Sequence, residues 1–310
     1  MRGRVSVGVA MRHPDGSIVS ASEPLNSILH RNRFARAPFF RGIVLLYETL
    51  VIGTRWLMRS GSVQAEGEGE EMGRGTIAVT LVVTLALAVG LFVLLPLFLA
   101  DATARATIGP SQLLAQHLLE GLIRIVIFVG YLLLVSRSAE IRRTFQYHGA
   151  EHMTIHALEH EDPLDIDHIR KYPTAHPRCG TEFLVIFIIL SILMFSLLAG
   201  QNLWVSIIGR ILLVPVIASL AYELLRFGAR HRDKVWLRWL YLPGIWLQGI
   251  TTRQPDDSMI EVAIASMQEA LAANGEAAPV GSSDPLRRPI PMGTKTSAKE
   301  QESASDQLPQ

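Results

Sequence analysis

The chain has 310 residues, a formal net charge of +1 and a mean hydropathy of +0.28. Apolar residues make up 49% of it and charged residues only 18%, under the usual quarter of a soluble domain, which points to membrane segments rather than one large soluble core. The near-zero charge gives no support for a nucleic-acid partner, and the single cysteine, Cys179, excludes a disulfide framework and a four-cysteine zinc ribbon.

In chain order, residues 1–38 are polar and carry no apolar run with a small-residue cleavage site, so no signal peptide is expected. Val5, Val7, Val9 and Met11 alternate, His13-Pro14-Asp15-Gly16 interrupts them, and Ile18 and Val19 follow. That pattern predicts a β-hairpin, here followed by a basic linker. Residues 39–58 are apolar but broken by Arg41, Glu48 and Arg55, which suits a helix lying at the membrane interface, or dipping into it, better than a span. The polar, glycine-rich stretch Gly67 to Gly75 closes this second unit, 39–76.

Residues 77–137 predict two spans. Ile77 to Ala100 is uncharged and long enough to cross a bilayer. Leu113 to Val135 carries His117, Glu120 and Arg124, and the last two, four apart, share a helix face where they can pair inside a bundle. Residues 138–182 form a polar His/Cys-rich loop. Residues 183–225 predict two more spans: Phe183 to Ala199, and Leu203 to Leu225, which holds Arg210, Pro215 and Glu223. In 226–273, Pro243 to Gln254 places Trp246 in an aromatic belt, and Ser258-Met259-Ile260-Glu261 is a capping box opening an amphipathic helix to about Ala273. From Asn274 to Gln310 the chain is rich in Ser, Pro, Gly, Glu and Lys and is expected to be disordered. The fold class is an all-α polytopic membrane protein of about four transmembrane helices, with interfacial helices and a small N-terminal β-hairpin.

Basic residues set the orientation. Arg is frequent before residue 76, and Arg142, Arg143, Arg170, Lys171 and Arg178 lie in 138–182. Arg226, Arg230, Arg232, Lys234 and Arg238 follow the last span, whereas the 101–112 connection holds only Arg105. The positive-inside rule then puts both termini in the cytoplasm of a multi-pass protein, with the lipid bilayer as its first partner. A cytoplasmic Cys179 is a reduced thiol, available to a metal.

The chemistry concentrates at Tyr147-His148-Gly149-Ala150-Glu151-His152. On a helix, His148 and His152 project from one face, with Glu151 beside them. This is H-x-x-E-H, the inverted zinc-hydrolase signature: two imidazoles bind the ion and the carboxylate acts as general base. Further on, His176 and Cys179 add an imidazole and a thiol, giving a candidate metal set of His148, His152, His176 and Cys179 with Glu151 catalytic. Zinc is the favoured ion. His156 and Glu159 continue the helix, and Glu223, near the cytoplasmic end of the last span, is within reach as a further carboxylate. The bland readings are a solvated His/Glu face, loop positions for His160 and His168, a buried small residue at Cys179, a snorkelling Glu223 and a structural Glu120–Arg124 pair. If all four metal positions are filled, the site is a staple and the chain a scaffold; a carrier built on Glu120, Arg124 and Arg210 is a third reading, without an inverted repeat to support it.

Four blocks carry a resemblance. Phe145 to His152, Lys171-Tyr172 with His176-Pro177-Arg178-Cys179-Gly180-Thr181, Pro243-Gly244-Ile245-Trp246-Leu247-Gln248, and Thr251 to Asp257 resemble the bacterial YqhQ-like family over about residues 1–272. The resemblance implies a polytopic membrane protein of unknown function, described as a predicted metal-dependent enzyme; no reaction comes with it. Members have a glycine-rich segment ahead of a stretch that Met1-Arg2-Gly3 resembles the end of, so either the start lies downstream of the real one or that segment is absent.

Overall fold

A computed structural model describes residues 1–3, 5–25, 35, 37–65, 74–107, 113–177, 179–198, 201–231 and 235–290. Most of the basic linker after the hairpin, most of the Gly67–Gly75 connection, Arg178, Arg232, Lys234 and the tail from residue 291 lie outside the described residues.

The alternating N-terminal stretch forms β1 (Ser6–Arg12) and β2 (Ile18–Pro24), paired antiparallel with Met11 opposite Val19. Gly16 takes a positive φ in the turn between them, a conformation glycine adopts without strain. The tail contributes more than the expected disorder. Strand β3 (Arg287–Pro289) pairs in parallel with β2, and Ile290 is buried against Met11, Val19 and Val63. The reason is that Ser283 bonds the Leu164 carbonyl and Arg287 pairs with Glu269, so polar anchors hold a segment whose composition alone predicts disorder.

Helix α1 (Phe40–Ala65) follows, with many exposed apolar side chains. Helices α2 (Arg74–Val89) and α3 (Leu95–Thr107) are joined by a π turn, Gly90–Leu94. Helix α4 (Leu113–Val135) comes next, then α5 (Ala139–Glu159) and the short α6 (Ile166–Ile169). Helices α7 (Thr181–Ser196), α8 (Leu203–Arg230), α9 (Val235–Thr251) and α10 (Asp257–Ala273) complete the chain. The protein is thus mostly helical with a small three-stranded sheet.

Three described helical segments are long and apolar enough to cross a membrane: Val82–Ala100, Leu118–Val135 and Leu203–Gly228. The run counted as a further span becomes α7, only 16 residues long. At ~1.5 Å per residue it measures about 24 Å, short of the ~30 Å hydrocarbon core. Between these apolar helices sits a buried charge cluster. The Glu120 carboxylate accepts from Arg124 at 2.6 Å and from Arg210 at 2.9 Å. Both guanidiniums lie over the Phe195 ring, and Arg124 also donates to the Phe92 carbonyl in the π turn. The expected Glu120–Arg124 pair is therefore a triad that α8 completes.

The second core lies outside the apolar helices. Ala150, Met153 and Ala157 of α5 pack on Met259, Ile260, Ile264 and Met267 of α10, and α10 in turn covers the hairpin. Gly8 makes that contact close: a side chain there would meet the Ser266 carbonyl at 2.3 Å. Helix α10 begins two residues before the capping box suggested. Asp256 is the N-cap, accepting from Met259 N–H, while Ser258 bonds Asp256 and Glu261 pairs with Arg12.

Candidate metal centre

Helix α5 has two faces. Ala150, Met153 and Ala157 fall on the core side. At ~100° per residue, His148, His152 and His156 lie on the other. They face the segment Tyr172 to Gly180 and the end of α9.

His148 and His152 have ring centroids 4.3 Å apart. Each commits its Nδ1–H to a backbone carbonyl: His148 to Thr251 at 2.9 Å and His152 to Thr174 at 2.7 Å. A carbonyl can only accept, so Nδ1 carries the proton in both rings and Nε2 is left for a ligand. His148 Nε2 lies 3.2 Å from the Cys179 Sγ. Cys179 sits immediately before α7, where the helix N-terminus favours negative charge, and the Thr181 N–H points at Sγ. Metal-ligating atoms of His148, His152 and Cys179 all lie within 4.8 Å of one another.

The electrostatics match. Burial pushes the Cys179 thiol up, but a proton shared with the His148 and His152 rings, together with the Thr181 N–H, outweighs it and brings its pKa down to about 5. Burial likewise opposes charge on His148, yet Cys179 and the Thr251 carbonyl together raise its pKa. The sulfur is therefore a thiolate at neutral pH. Its lone pair faces His148 Nε2, and two such donors share either a proton or a metal cation. The thiolate's pKa is depressed on folding, so its contribution to stability is present above the unfolded thiol's pKa and is lost as pH falls through about 5. Thiolate absorbance of metal-free protein should persist on acidification until about pH 5, and loss of the band near the ordinary thiol range would contradict this environment.

His176, the fourth predicted ligand, is not in the cluster. Gln248, fully buried, clamps its backbone: its amide oxygen accepts from the His176 N–H at 2.8 Å and its amide donates to the His176 carbonyl at 3.0 Å. The ring packs on His156 at 4.4 Å and meets Glu159 at 3.3 Å, with His152 farther off at 5.8 Å. Burial, then repulsion from His156, holds its pKa down at about 4. Glu223 is also elsewhere, bonded to Arg41 of α1, an interaction that ties α1 to α8. Glu151 is half-buried on α5 and within electrostatic range of His148. His160 bonds its own helix's His156 carbonyl, and His168 pairs with Asp165.

Sequence reasoning passed over Thr251 and Thr174, whose carbonyls hold the imidazoles, and Gln248, which clamps the His176 backbone. Gln248 and Thr251 lie in the third and fourth resemblance blocks, which was the available signal. Gly149 explains another block: a Cβ there would meet the Arg253 carbonyl at 2.2 Å. That close approach lets Thr251 reach His148. Gly149→Ala should cost about 1–3 kcal/mol through overpacking and weaken metal retention together, measured by thermal unfolding and metal analysis.

The profile of a family described as a protein of unknown function (DUF1385) matches residues 37–273. The chain belongs to that family. A relative, the uncharacterized protein YqhQ of Bacillus subtilis (strain 168), is 33% identical over 275 residues, 84% of this chain and 86% of the relative. No solved structure matches the chain. The YqhQ-like resemblance read from the four blocks is thus borne out. Three of those blocks supply the cluster and its carbonyl support, with His148 and His152, Cys179, and Thr251, and the third supplies Gln248, which clamps the His176 backbone beside it.

Proposed function

We propose that this DUF1385 member is a metal-dependent hydrolase at the cytoplasmic face of the bacterial inner membrane, with one zinc ion held by His148, His152 and Cys179. The observation that carries this reading is the facing pair of donors, His148 Nε2 and the Cys179 thiolate, with the second imidazole oriented beside them. Two imidazoles and a thiolate suit zinc better than magnesium or calcium. Three protein ligands leave a fourth position for water or substrate, the pattern of catalytic rather than structural sites. When bound, zinc would polarise a substrate carbonyl or phosphoryl oxygen and acidify a water. Glu151, between the two histidines in sequence, would hold the proton taken from that water. Thr251 and Thr174 would keep the imidazoles in the ligating tautomer, and His176 would tune the site from beside His156.

Glu151→Gln tests the assignment. The variant keeps the side chain's size but cannot take a proton, so metal should be retained while complementation of a deletion phenotype is lost. Full complementation by the metal-loaded variant would sink the hydrolase reading and favour a scaffold, in which His176 swings in as the fourth ligand.

The topology belongs to the same proposal: four passes, both termini cytoplasmic. Helix α7 is short, but only a few residues separate it from α8, it packs along α8, and its Ser191 and Phe195 contact the buried Arg124. It therefore enters the membrane with its neighbour. A cysteine placed at position 160 should be shielded from impermeant reagents in intact cells; its labelling from outside would overturn the orientation.

A further inference from the structure

A cavity of about 510 Å³ opens beside the metal centre, lined by Leu133, Ser136, Arg137, Arg142 and Arg253. Its three arginines come from different parts of the chain: the turn after α4, the first turn of α5 and the segment after α9. None of their side chains has an ion-pair or hydrogen-bond partner among the described residues. By contrast, Arg12 is matched by Glu261, Arg55 by Glu23 and Arg170 by Asp257. No carboxylate lines the cavity, although Glu140 lies exposed on the same turn of α5 as Arg142. Three arginines lining one cavity with no carboxylate among its lining residues suit a planar or tetrahedral oxyanion, and phosphate takes bidentate Arg contacts well.

The position names the carrier of that anion. Leu133 belongs to the apolar segment Leu118–Val135, and Ser136 and Arg137 follow its end directly. One wall of the cavity is therefore continuous with a helix surface that suits lipid, and its polar lining sits at headgroup level. Arg253 also joins the cavity to the centre. Its N–H donates to the Phe145 carbonyl at 2.9 Å, its own carbonyl lies against Gly149, and Thr251, two residues earlier, holds His148.

We propose that Arg137, Arg142 and Arg253 bind the phosphate of an anionic lipid headgroup and present phosphate-bearing lipids to the neighbouring His148–His152–Cys179 centre. Only the second half of this statement rests on the hydrolase reading; the binding site stands on the arginines. Retained lipid on the full chain in neutral detergent, read by native mass spectrometry, tests it with phosphatidylglycerol, phosphatidylcholine and inorganic phosphate as probes. Phosphatidylglycerol should bind about tenfold more tightly than phosphatidylcholine, whose trimethylammonium the arginines repel. Each single Arg→Gln change should weaken phosphatidylglycerol by about three- to tenfold and the triple Gln variant by about 100-fold, with melting temperature and metal content unchanged. Binding by the triple Gln variant equal to that of the unaltered chain overturns the site. So does a triple Arg→Lys variant that binds as well as the arginines, because general surface attraction then suffices. Displacement of the lipid by equimolar inorganic phosphate overturns the lipid assignment in favour of a soluble phosphate. Phosphatidylglycerol should remain on a His148→Ala, His152→Ala variant, so a failed metal centre and a failed lipid site give different results.

Discussion

Replacing His148 and His152 together with alanine is expected to take bound zinc from about one ion per chain to none. Both imidazoles present Nε2 to the Cys179 thiolate, and a lone thiolate does not hold the ion against solvent. The metal's own stabilisation should go with it: an ion present at a thousand times its dissociation constant contributes about 4 kcal/mol, a large part of a domain's net stability. Melting in detergent with and without a chelator should therefore differ for the unaltered protein and coincide for the double variant. Cobalt substitution gives a spectroscopic reading of the same site, because a cobalt–thiolate charge-transfer band requires Cys179 and should vanish in Cys179→Ser. His160→Ala and His168→Ala serve as controls, since those rings bond a helix carbonyl and Asp165. Metal content unchanged in the double histidine variant would discard the centre.

The parts of this site that the sequence made legible are those fixed by local geometry. His148 and His152 share a helix face because 3.6 residues per turn places them there, whatever the rest of the chain does. Their opposition to Ala150, Met153 and Ala157 is legible for the same reason. His176 was not legible. Three residues before Cys179 it looks like a second ligand of a pair, but its backbone is clamped by Gln248, 72 residues away, and that clamp turns its ring toward His156. Glu223 was misplaced for a related reason: its partner Arg41 lies 182 residues earlier. Composition also failed at the tail, where two serines, an arginine and an isoleucine anchor a segment that otherwise reads as disordered. Hydropathy located the apolar helices but did not fix their ends, and α7 stops at Ser196 where the turn toward α8 begins.

Glu120→Gln is expected to cause the largest loss of stability of any single change in the apolar bundle. The carboxylate lies between Arg124 and Arg210, and all three residues are buried. Glutamine preserves shape and one acceptor but removes the charge that balances two guanidiniums over a single Phe195 ring. Removing one partner of a buried ion pair costs about 3–5 kcal/mol, and here two cations are left facing each other in an apolar environment. Arg41→Gln, which breaks a partly exposed pair with Glu223, should cost much less. A variant with Glu120, Arg124 and Arg210 all changed to leucine should recover most of the loss, because a well-packed apolar trio can replace a buried charge triad. Thermal unfolding in detergent orders the three variants, and a Glu120→Gln melting temperature equal to the parent's would show that the triad does not hold the bundle. The leucine variant also separates structure from transport. If it folds, retains zinc and complements a deletion, the charges serve only the packing of α4, α7 and α8. If it folds and retains zinc but fails to complement, the carrier reading gains the support that the sequence did not give it.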